Sequence, residues 1–119
     1  MTTTTTDELM RATLLEVFSE GDPERRMAAI RRTYTEDVVF SDAEGRVRGH
    51  EALSAKVQEI LDGAQGLEFR ASGEPYTVQD LGYLAWELGP EGGAPVVRGV
   101  DMGLVRDGLL AAVWTVLLR

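Results

Sequence analysis

Residues 96–118 read VVRGVDMGLVRDGLLAAVWTVLL and are the most informative segment of the chain. Asp107-Gly108 in the middle of this segment is a two-residue hairpin signal, because both residue types tolerate the backbone that such turns require. The flanking runs, Val96 to Val105 and Leu109 to Leu118, are rich in apolar and β-branched residues, which favours strands. The second run is about half as long as the ~20 residues that a membrane helix needs. The segment therefore predicts two antiparallel strands and no membrane span.

Two more strands are predicted on the amino-terminal side of this hairpin. Leu67 to Ala71 and Tyr76 to Leu88 have strand-like composition, and turn residues separate them from each other and from the hairpin. Gly82, Gly99 and Gly103 lie inside the predicted strands, where glycine marks bends, bulges and close backbone approach. We therefore expect an antiparallel meander of four strands that curls.

The first of three predicted helices carries apolar residues at helical spacing from Leu9 to Phe18. Thr5 and Glu8 have the spacing of a capping box at its start, and Gly21 ends it. The preceding threonines have no periodicity, so residues 1–6 are predicted to be a disordered tail. Residues 7–119 then form a single domain, because 119 residues are too few for two ordinary domains.

Asp22 followed by Pro23 predicts the start of a second helix, which runs to about Tyr34. Charged residues on this helix are interpreted as a solvated flank, and they are Glu24, Arg25, Arg26, Arg31 and Arg32. A short strand over Val38 to Phe40 follows, and residues 43–45 turn the chain back into a partner strand at Val47. The third helix runs from the Gly49 region to Gly63.

Composition excludes several classes of function. The net charge of −8 would repel phosphate backbones and anionic lipid surfaces, so we expect neither nucleic acid nor a membrane as a partner. The chain contains one histidine and no cysteine, which predicts no transition-metal site and is consistent with a reducing cytoplasm. No phosphate-binding glycine motif and no serine nucleophile motif is present, and we expect no cofactor.

Four motifs in this order resemble the nuclear transport factor 2-like superfamily, and in particular its SnoaL-like (polyketide cyclase-like) and ketosteroid isomerase-like branches. They are Gly21-Asp22-Pro23, Tyr34-Thr35-Glu36-Asp37-Val38-Val39-Phe40, Gly49-His50-Glu51-Ala52-Leu53 and Arg106-Asp107-Gly108-Leu109-Leu110. The resemblance covers the chain from about Asp7 to Leu118. It implies a cystatin-like α+β fold, in which three amino-terminal helices and a cone-shaped, curved antiparallel sheet enclose a pocket. It also implies a small apolar ligand in the pocket and a homodimer formed through the convex side of the sheet.

Asp101 is the first candidate catalytic residue, because it lies in an otherwise apolar strand, where an unpaired charge is costly. Burial would raise the pKa of its carboxyl group. On the concave side of the sheet it would resemble the pocket-facing acid of ketosteroid isomerases, a protonated carboxyl that donates a hydrogen bond to a developing oxyanion. The alternative is an acid paired with Arg98 or Arg48 at the mouth of the pocket.

Asp42 is the second candidate, since it ends the first strand where the isomerases place their general-base aspartate. The alternative is a turn aspartate that caps backbone amides after Phe40. The tyrosine that serves the isomerases as an oxyanion donor corresponds to Leu14. The epoxide-hydrolase branch uses an Asp-Arg-Asp set, for which Trp114-Thr115-Val116 supplies no acid. Two hypotheses follow: a cofactor-independent isomerase or cyclase with paired aspartates, and a non-catalytic module for ligand binding or dimerisation.

We expect the pocket to be lined by apolar and aromatic side chains. The predicted lining residues are Leu14, Phe18, Tyr34, Phe40, Val57, Trp86, Val97 and Trp114. Trp86 shares a strand face with Leu84 and Leu88, which places it inward. His50 is interpreted as a residue at a helix start rather than as a catalytic group.

Overall fold

The computed structural model describes residues 4–118. Within these residues the chain forms three helices and seven strands. The helices are α1 (Thr6–Ala12, continued by a π-helical turn over Thr13–Val17), α2 (Pro23–Thr33) and α3 (His50–Asp62). The strands are β1 (Tyr34–Asp42), β2 (Gly45–Arg48), β3 (Glu68–Ala71), β4 (Tyr76–Val78), β5 (Leu81–Gly89), β6 (Val97–Arg106) and β7 (Leu109–Leu118). No helix among the described residues is long and apolar enough to cross a membrane.

Helix α1 begins with the predicted capping box. The Thr5 hydroxyl accepts a hydrogen bond from the Glu8 amide (3.1 Å), and the Glu8 carboxylate accepts one from the Thr5 amide (2.9 Å). Thr5 is therefore the N-cap and Thr6 the first helical residue. The predicted disordered tail over residues 1–6 is wrong at these two positions, because the box satisfies backbone amides at the helix start. Residues 1–3 of that tail lie outside the described residues.

Helix α2 also starts as predicted, since the Asp22 carboxylate accepts a hydrogen bond from the Arg25 amide (2.9 Å). The interpretation of Arg26 as solvated is wrong, because its side chain is buried between α2 and α3. Its guanidinium donates to the Ser54 hydroxyl (3.0 Å), the Gln58 side-chain oxygen (2.8 Å) and the Glu20 carbonyl (2.8 Å). These hydrogen bonds tie the two helices together and satisfy the donors of a group that would be costly to bury unpaired.

The seven strands form one curved, unclosed sheet in the order β2-β1-β7-β6-β5-β3, with β4 also paired to β5. The predicted α+β class, the β1–β2 pair and the Asp107-Gly108 hairpin are confirmed. The predicted antiparallel meander holds for β3, β5, β6 and β7, whereas β1 joins it by pairing in parallel with β7, with Phe40 opposite Val113. Strand β1 supplies backbone partners to an edge of β7 that would otherwise be unpaired.

The predicted strand from Tyr76 to Leu88 is two strands, β4 and β5, joined by a turn at Gln79 and Asp80. Gln79 has a φ of 52°, a left-handed conformation that glutamine rarely adopts. Asp80 is of a type common in turns, but no glycine or asparagine occupies the left-handed position before it, which explains why the prediction missed the turn.

Glycines on the concave face allow α1 to pack closely on β5 and β6. A Cβ atom on Gly82 would lie 2.6 Å from Cγ of Met10, and one on Gly103 would lie 3.0 Å from its Sδ. Met10 is fully buried between the helix and these strands. The absence of side chains at the two glycines therefore sets the distance between helix and sheet, and the core fills the concave side.

Candidate functional site

A cavity of about 240 Å³ opens between the helices and the concave face of the sheet. Its lining residues from helices are Leu14, Phe18 and Ile60, and those from strands and turns are Phe40, Asp42, Ala43, Glu44, Phe69, Trp86, Leu88, Val97, Asp101, Thr115 and Leu117. Exposed Ala43, Glu44 and Leu117 mark the mouth, whereas Leu14 and Asp101 are buried at the inner end. This volume is slightly below the roughly 300 Å³ at which pockets for drug-sized ligands begin, so the cavity suits a smaller molecule.

Asp101 is buried, with 4% of its surface exposed, and its carboxylate faces this cavity. Oδ1 accepts hydrogen bonds from Trp86 Nε1 (3.0 Å) and Thr115 Oγ1 (2.7 Å). Burial raises the pKa of Asp101 to about 6, and the two hydrogen bonds oppose that shift. Among the described residues no cation pairs with it, and Oδ2 receives no hydrogen bond. Oδ2 is therefore the oxygen available to a ligand.

The predicted alternative, an ion pair between Asp101 and Arg98 or Arg48, is wrong. Arg98 lies opposite Glu87 on β5 and projects from the other face of β6, because residues three apart on a strand point to opposite sides. Arg48 is exposed at the end of β2. Asp101 is thus an acid of the concave face, held by neutral donors.

Gly99 creates the space in which Trp86 reaches Asp101. The two residues lie opposite each other on β6 and β5, and a Cβ atom on Gly99 would be 2.2 Å from Cζ2 of the indole. Phe69 packs edge-on against the same ring, with centroids 5.2 Å apart. The indole is therefore confined on both sides, and its N–H is aimed at the carboxylate.

Asp42 lies at the mouth of the cavity, and both of its oxygens already have partners. Oδ1 accepts a hydrogen bond from the Glu44 amide (3.0 Å), and Oδ2 lies 3.2 Å from the ammonium group of Lys56 on α3. Lys56 also forms an ion pair with Glu44. Asp42 therefore caps a backbone amide of the turn, as in the alternative considered above, and it also forms an ion pair with Lys56. Lys56 could have been found from the sequence, since it follows Leu53 by three residues and precedes Ile60 by four, on the inward face of the helix.

Comparison with known protein families decides the family. The SnoaL-like domain matches residues 11–113, which is most of the chain. This chain belongs to the SnoaL-like domain family. No curated protein matches it.

Solved structures share the fold of this SnoaL-like domain. An isomerase candidate of the SnoaL-like family from Agrobacterium tumefaciens superposes with a TM-score of 0.86 at 20% identity, covering 93% of this chain and 95% of the other. A polyketide cyclase candidate from Sinorhizobium meliloti gives 0.71 at 17% identity, covering 91% and 93%. A hypothetical protein of ketosteroid isomerase-like fold from Catenulispora acidiphila, in complex with trimethylamine, gives 0.69 at 18% identity, covering 93% and 85%. The fold is thus nuclear transport factor 2-like, as predicted.

The SnoaL-like domain brings five of the eight predicted lining residues to the cavity, namely Leu14, Phe18, Phe40, Trp86 and Val97. The prediction is wrong for Trp114, which projects from the convex face because its neighbour Thr115 occupies the concave one. It is also wrong for Val57 and Tyr34, which are buried in the core and do not line the cavity. The prediction missed Phe69 and Ile60, whose strand and helix patterns identify them as inward-facing.

The hydroxyl group of Tyr34 and the imidazole of His50 form hydrogen bonds within the fold. The Tyr34 hydroxyl donates to Thr13 Oγ1 (3.0 Å), and burial raises the pKa of this tyrosine. Leu14 lines the cavity as an apolar residue, without an oxyanion donor. Nε2 of His50 lies 2.9 Å from the Thr35 carbonyl at the start of α3, in line with its interpretation as a helix-start residue. The described residues contain no group of three or more acidic, histidine or cysteine side chains that could hold a metal ion.

Proposed function

We propose that this SnoaL-like domain binds a small, mostly hydrophobic molecule in the cavity and that Asp101 exchanges a proton with it. The observation that carries the proposal is a buried carboxyl group with one free oxygen at the inner end of an apolar cavity. A group with a pKa of about 6 takes up or releases a proton readily near neutral pH. Neighbours described as isomerase and cyclase candidates, and one that holds trimethylamine, support a small-molecule ligand.

The finer proposal is an isomerase or cyclase reaction in which Asp42 and Asp101 form the proton-transfer pair. Such reactions remove a proton from carbon beside a carbonyl and return one elsewhere, so they need a base that takes up the proton and an acid that supports the carbonyl oxygen as it becomes negative. Asp101 can serve in one of these roles without rearrangement. Asp42 would first have to release Lys56, because its two oxygens are occupied. Asp101 is therefore the stronger of the two assignments.

Proton transfer of this kind needs neither a redox partner nor a Lewis acid, so the proposal includes no cofactor. The charge of −8 argues against nucleic acid as a partner. We also propose a cytoplasmic location, because a chain without cysteine is compatible with a reducing compartment.

Neutral ketones such as acetophenone and cyclohexenone test both parts of the proposal. They are expected to shift the indole N–H resonance of Trp86, while that of Trp114 on the convex face stays unchanged. Ile60→Phe should abolish the shift by filling the cavity, whereas the matched Leu15→Phe on the exposed side of α1 should not. In D2O the protein should speed exchange of the protons beside the carbonyl, and Asp101→Asn should slow this exchange at least ~100-fold.

Binding without exchange would overturn the catalytic part and leave the alternative function, a non-catalytic ligand-binding module. No shift at Trp86 with any neutral or charged probe would overturn the proposal as a whole.

We also propose that two copies associate through the convex face of the sheet. Apolar side chains of β6 and β7 are exposed there, namely Leu104, Trp114, Val116 and Leu118. A continuous exposed apolar surface of this kind is typical of an interface. Arg98 and Glu87, which lie on the same face near the ends of β6 and β5, would belong to the polar rim.

Trp114→Glu is expected to convert the dimer to a monomer, because it places a charge in the centre of the apolar surface. Sedimentation velocity checks the mass of both proteins at the same concentration. Leu15→Glu, which adds the same charge on the helical side, should remain a dimer. A monomeric wild-type protein at about 100 μM would contradict the proposed interface.

A further inference from the structure

Negative charge prevails among the residues that line the cavity. Asp101 lies at the inner end, and Asp42 and Glu44 lie at the mouth. Among the described residues the cation that contacts this group is Lys56, and it pairs with Asp42 and Glu44 rather than with Asp101. An anionic ligand would therefore be repelled, and a ligand that reaches the inner end meets a carboxylate without a counter-ion.

Oδ2 of Asp101 is the oxygen that a ligand in the cavity can reach. Trp86 and Thr115 both donate to Oδ1, and Oδ2 has no donor among the described residues. Only 4% of the residue's surface is exposed, and since no fully buried side-chain oxygen of the described residues lacks a partner, Oδ2 borders the cavity. Buried carboxylates normally have hydrogen-bond or ionic partners. Since Asp101 faces the cavity, a molecule inside it can supply a partner to Oδ2.

Aromatic rings form part of the wall of the same cavity. Phe40 and Phe18 have ring centroids 5.3 Å apart, Phe18 and Phe69 are 6.4 Å apart, and Phe69 and Trp86 are 5.2 Å apart. All four side chains line the cavity. The faces of aromatic rings attract cations, and they do so most strongly where water is excluded.

We propose that the cavity selects ligands whose polar group is a small organic cation, such as an alkylated ammonium group, held between Asp101 and the aromatic wall. The inference rests on the proposed function only in requiring that the cavity binds a ligand. The apolar substituents of such a cation would contact Leu14, Ile60 and the phenylalanines, while its charge would compensate Asp101. A neutral ligand of the same shape fills the same space but leaves the carboxylate uncompensated.

Choline and its neutral carbon isostere, 3,3-dimethylbutan-1-ol, test the inference because they differ in charge and hardly in shape. Binding is followed by the indole N–H resonance of Trp86, with Trp114 as an internal control, since these are the two tryptophans of the chain. At pH 7.5 choline is expected to bind at least about tenfold more tightly than the isostere. Asp101→Asn should remove most of this preference, whereas the matched Asp80→Asn on the exposed turn before β5 should keep it.

The pH dependence supplies a second readout, because choline itself does not titrate. Protonation of Asp101, whose pKa is raised to about 6, should weaken choline binding about tenfold between pH 7.5 and pH 5. The groups that face Asp101 are Trp86, Thr115 and Tyr34, and those at the mouth are Asp42, Glu44 and Lys56. Comparing the wild-type profile with that of Asp101→Asn isolates Asp101 from the groups at the mouth.

Equal or tighter binding of the isostere would overturn the cation inference and leave the binding of small hydrophobic molecules intact. Choline binding that Asp101→Asn leaves unchanged would also overturn it, because the charge would then be recognised elsewhere. If neither choline, the isostere nor the ketones shift Trp86, the inference and the proposed function both fail.

Discussion

Asp101→Asn is expected to make the protein more stable at pH 7.5 by about 3 kcal/mol, and by much less at pH 4. Burial raises the pKa of Asp101 from 3.8 to about 6, so the folded protein holds this proton more tightly than the unfolded chain does. The wild-type protein therefore loses stability as pH rises from about 4 to 6, and the loss stays constant above that range. Asparagine carries no charge, and its Oδ1 can still accept from Trp86 and Thr115.

Urea denaturation of both proteins at pH 4, 5.5 and 7.5 measures this difference. Hydrogen bonds lower the pKa values of Glu8, Glu20 and Asp37, so these groups change the stability with pH in the opposite direction. Both proteins contain them, and their contributions therefore cancel in the difference. Asp80→Asn, at an exposed site, serves as the control and should differ little from the wild-type protein at any pH. A difference between Asp101→Asn and wild type that does not change with pH would show that Asp101 has an ordinary pKa.

Gly99→Ala is expected to destabilise the protein by about 2–4 kcal/mol and to remove the hydrogen bond from Trp86 to Asp101. The new Cβ atom would lie 2.2 Å from Cζ2, 2.6 Å from Cε2 and 2.8 Å from Cη2 of the indole. The ring cannot move away easily, because Phe69 packs against it. The variant should therefore also lose the ligand-induced shift of the Trp86 resonance.

A double-mutant cycle distinguishes this clash from a general cost of altering β6. In a Trp86→Leu background the same Gly99→Ala change should cost less than about 1 kcal/mol, since no ring occupies the space. Gly21→Ala is the matched control, because a Cβ atom there has no neighbour within 4 Å. Equal costs of Gly99→Ala in both backgrounds would contradict the assigned contact.

Much of the fold could be predicted because its signals are local. The capping box of Thr5 and Glu8, the Asp22-Pro23 helix start and the Asp107-Gly108 turn each depend on residues within a few positions of one another. Where glutamine occupies the left-handed position of a turn, as at Gln79, the prediction failed. The π-helical turn after Ala12 was missed too, since its residues have ordinary helical spacing.

The same distinction between local and long-range signals applies to the residues of the site. The sequence by itself identified Asp101 as an acid in an apolar strand, and strand alternation sufficed to place Trp86 inward. It also determined the net charge and the absence of cysteine. These are properties of single residues and of their nearest neighbours along one element.

Only the tertiary structure decided what each of these residues contacts. Asp101 has Trp86 and Thr115 as partners rather than Arg98, Trp114 lies outside, and Lys56 reaches Asp42 from α3. These outcomes depend on strand register and on the placement of helices against the sheet, which many weak long-range contacts determine together. The sequence therefore determined which side chains carry the chemistry, and the packing of the sheet against its helices decided which of them meet.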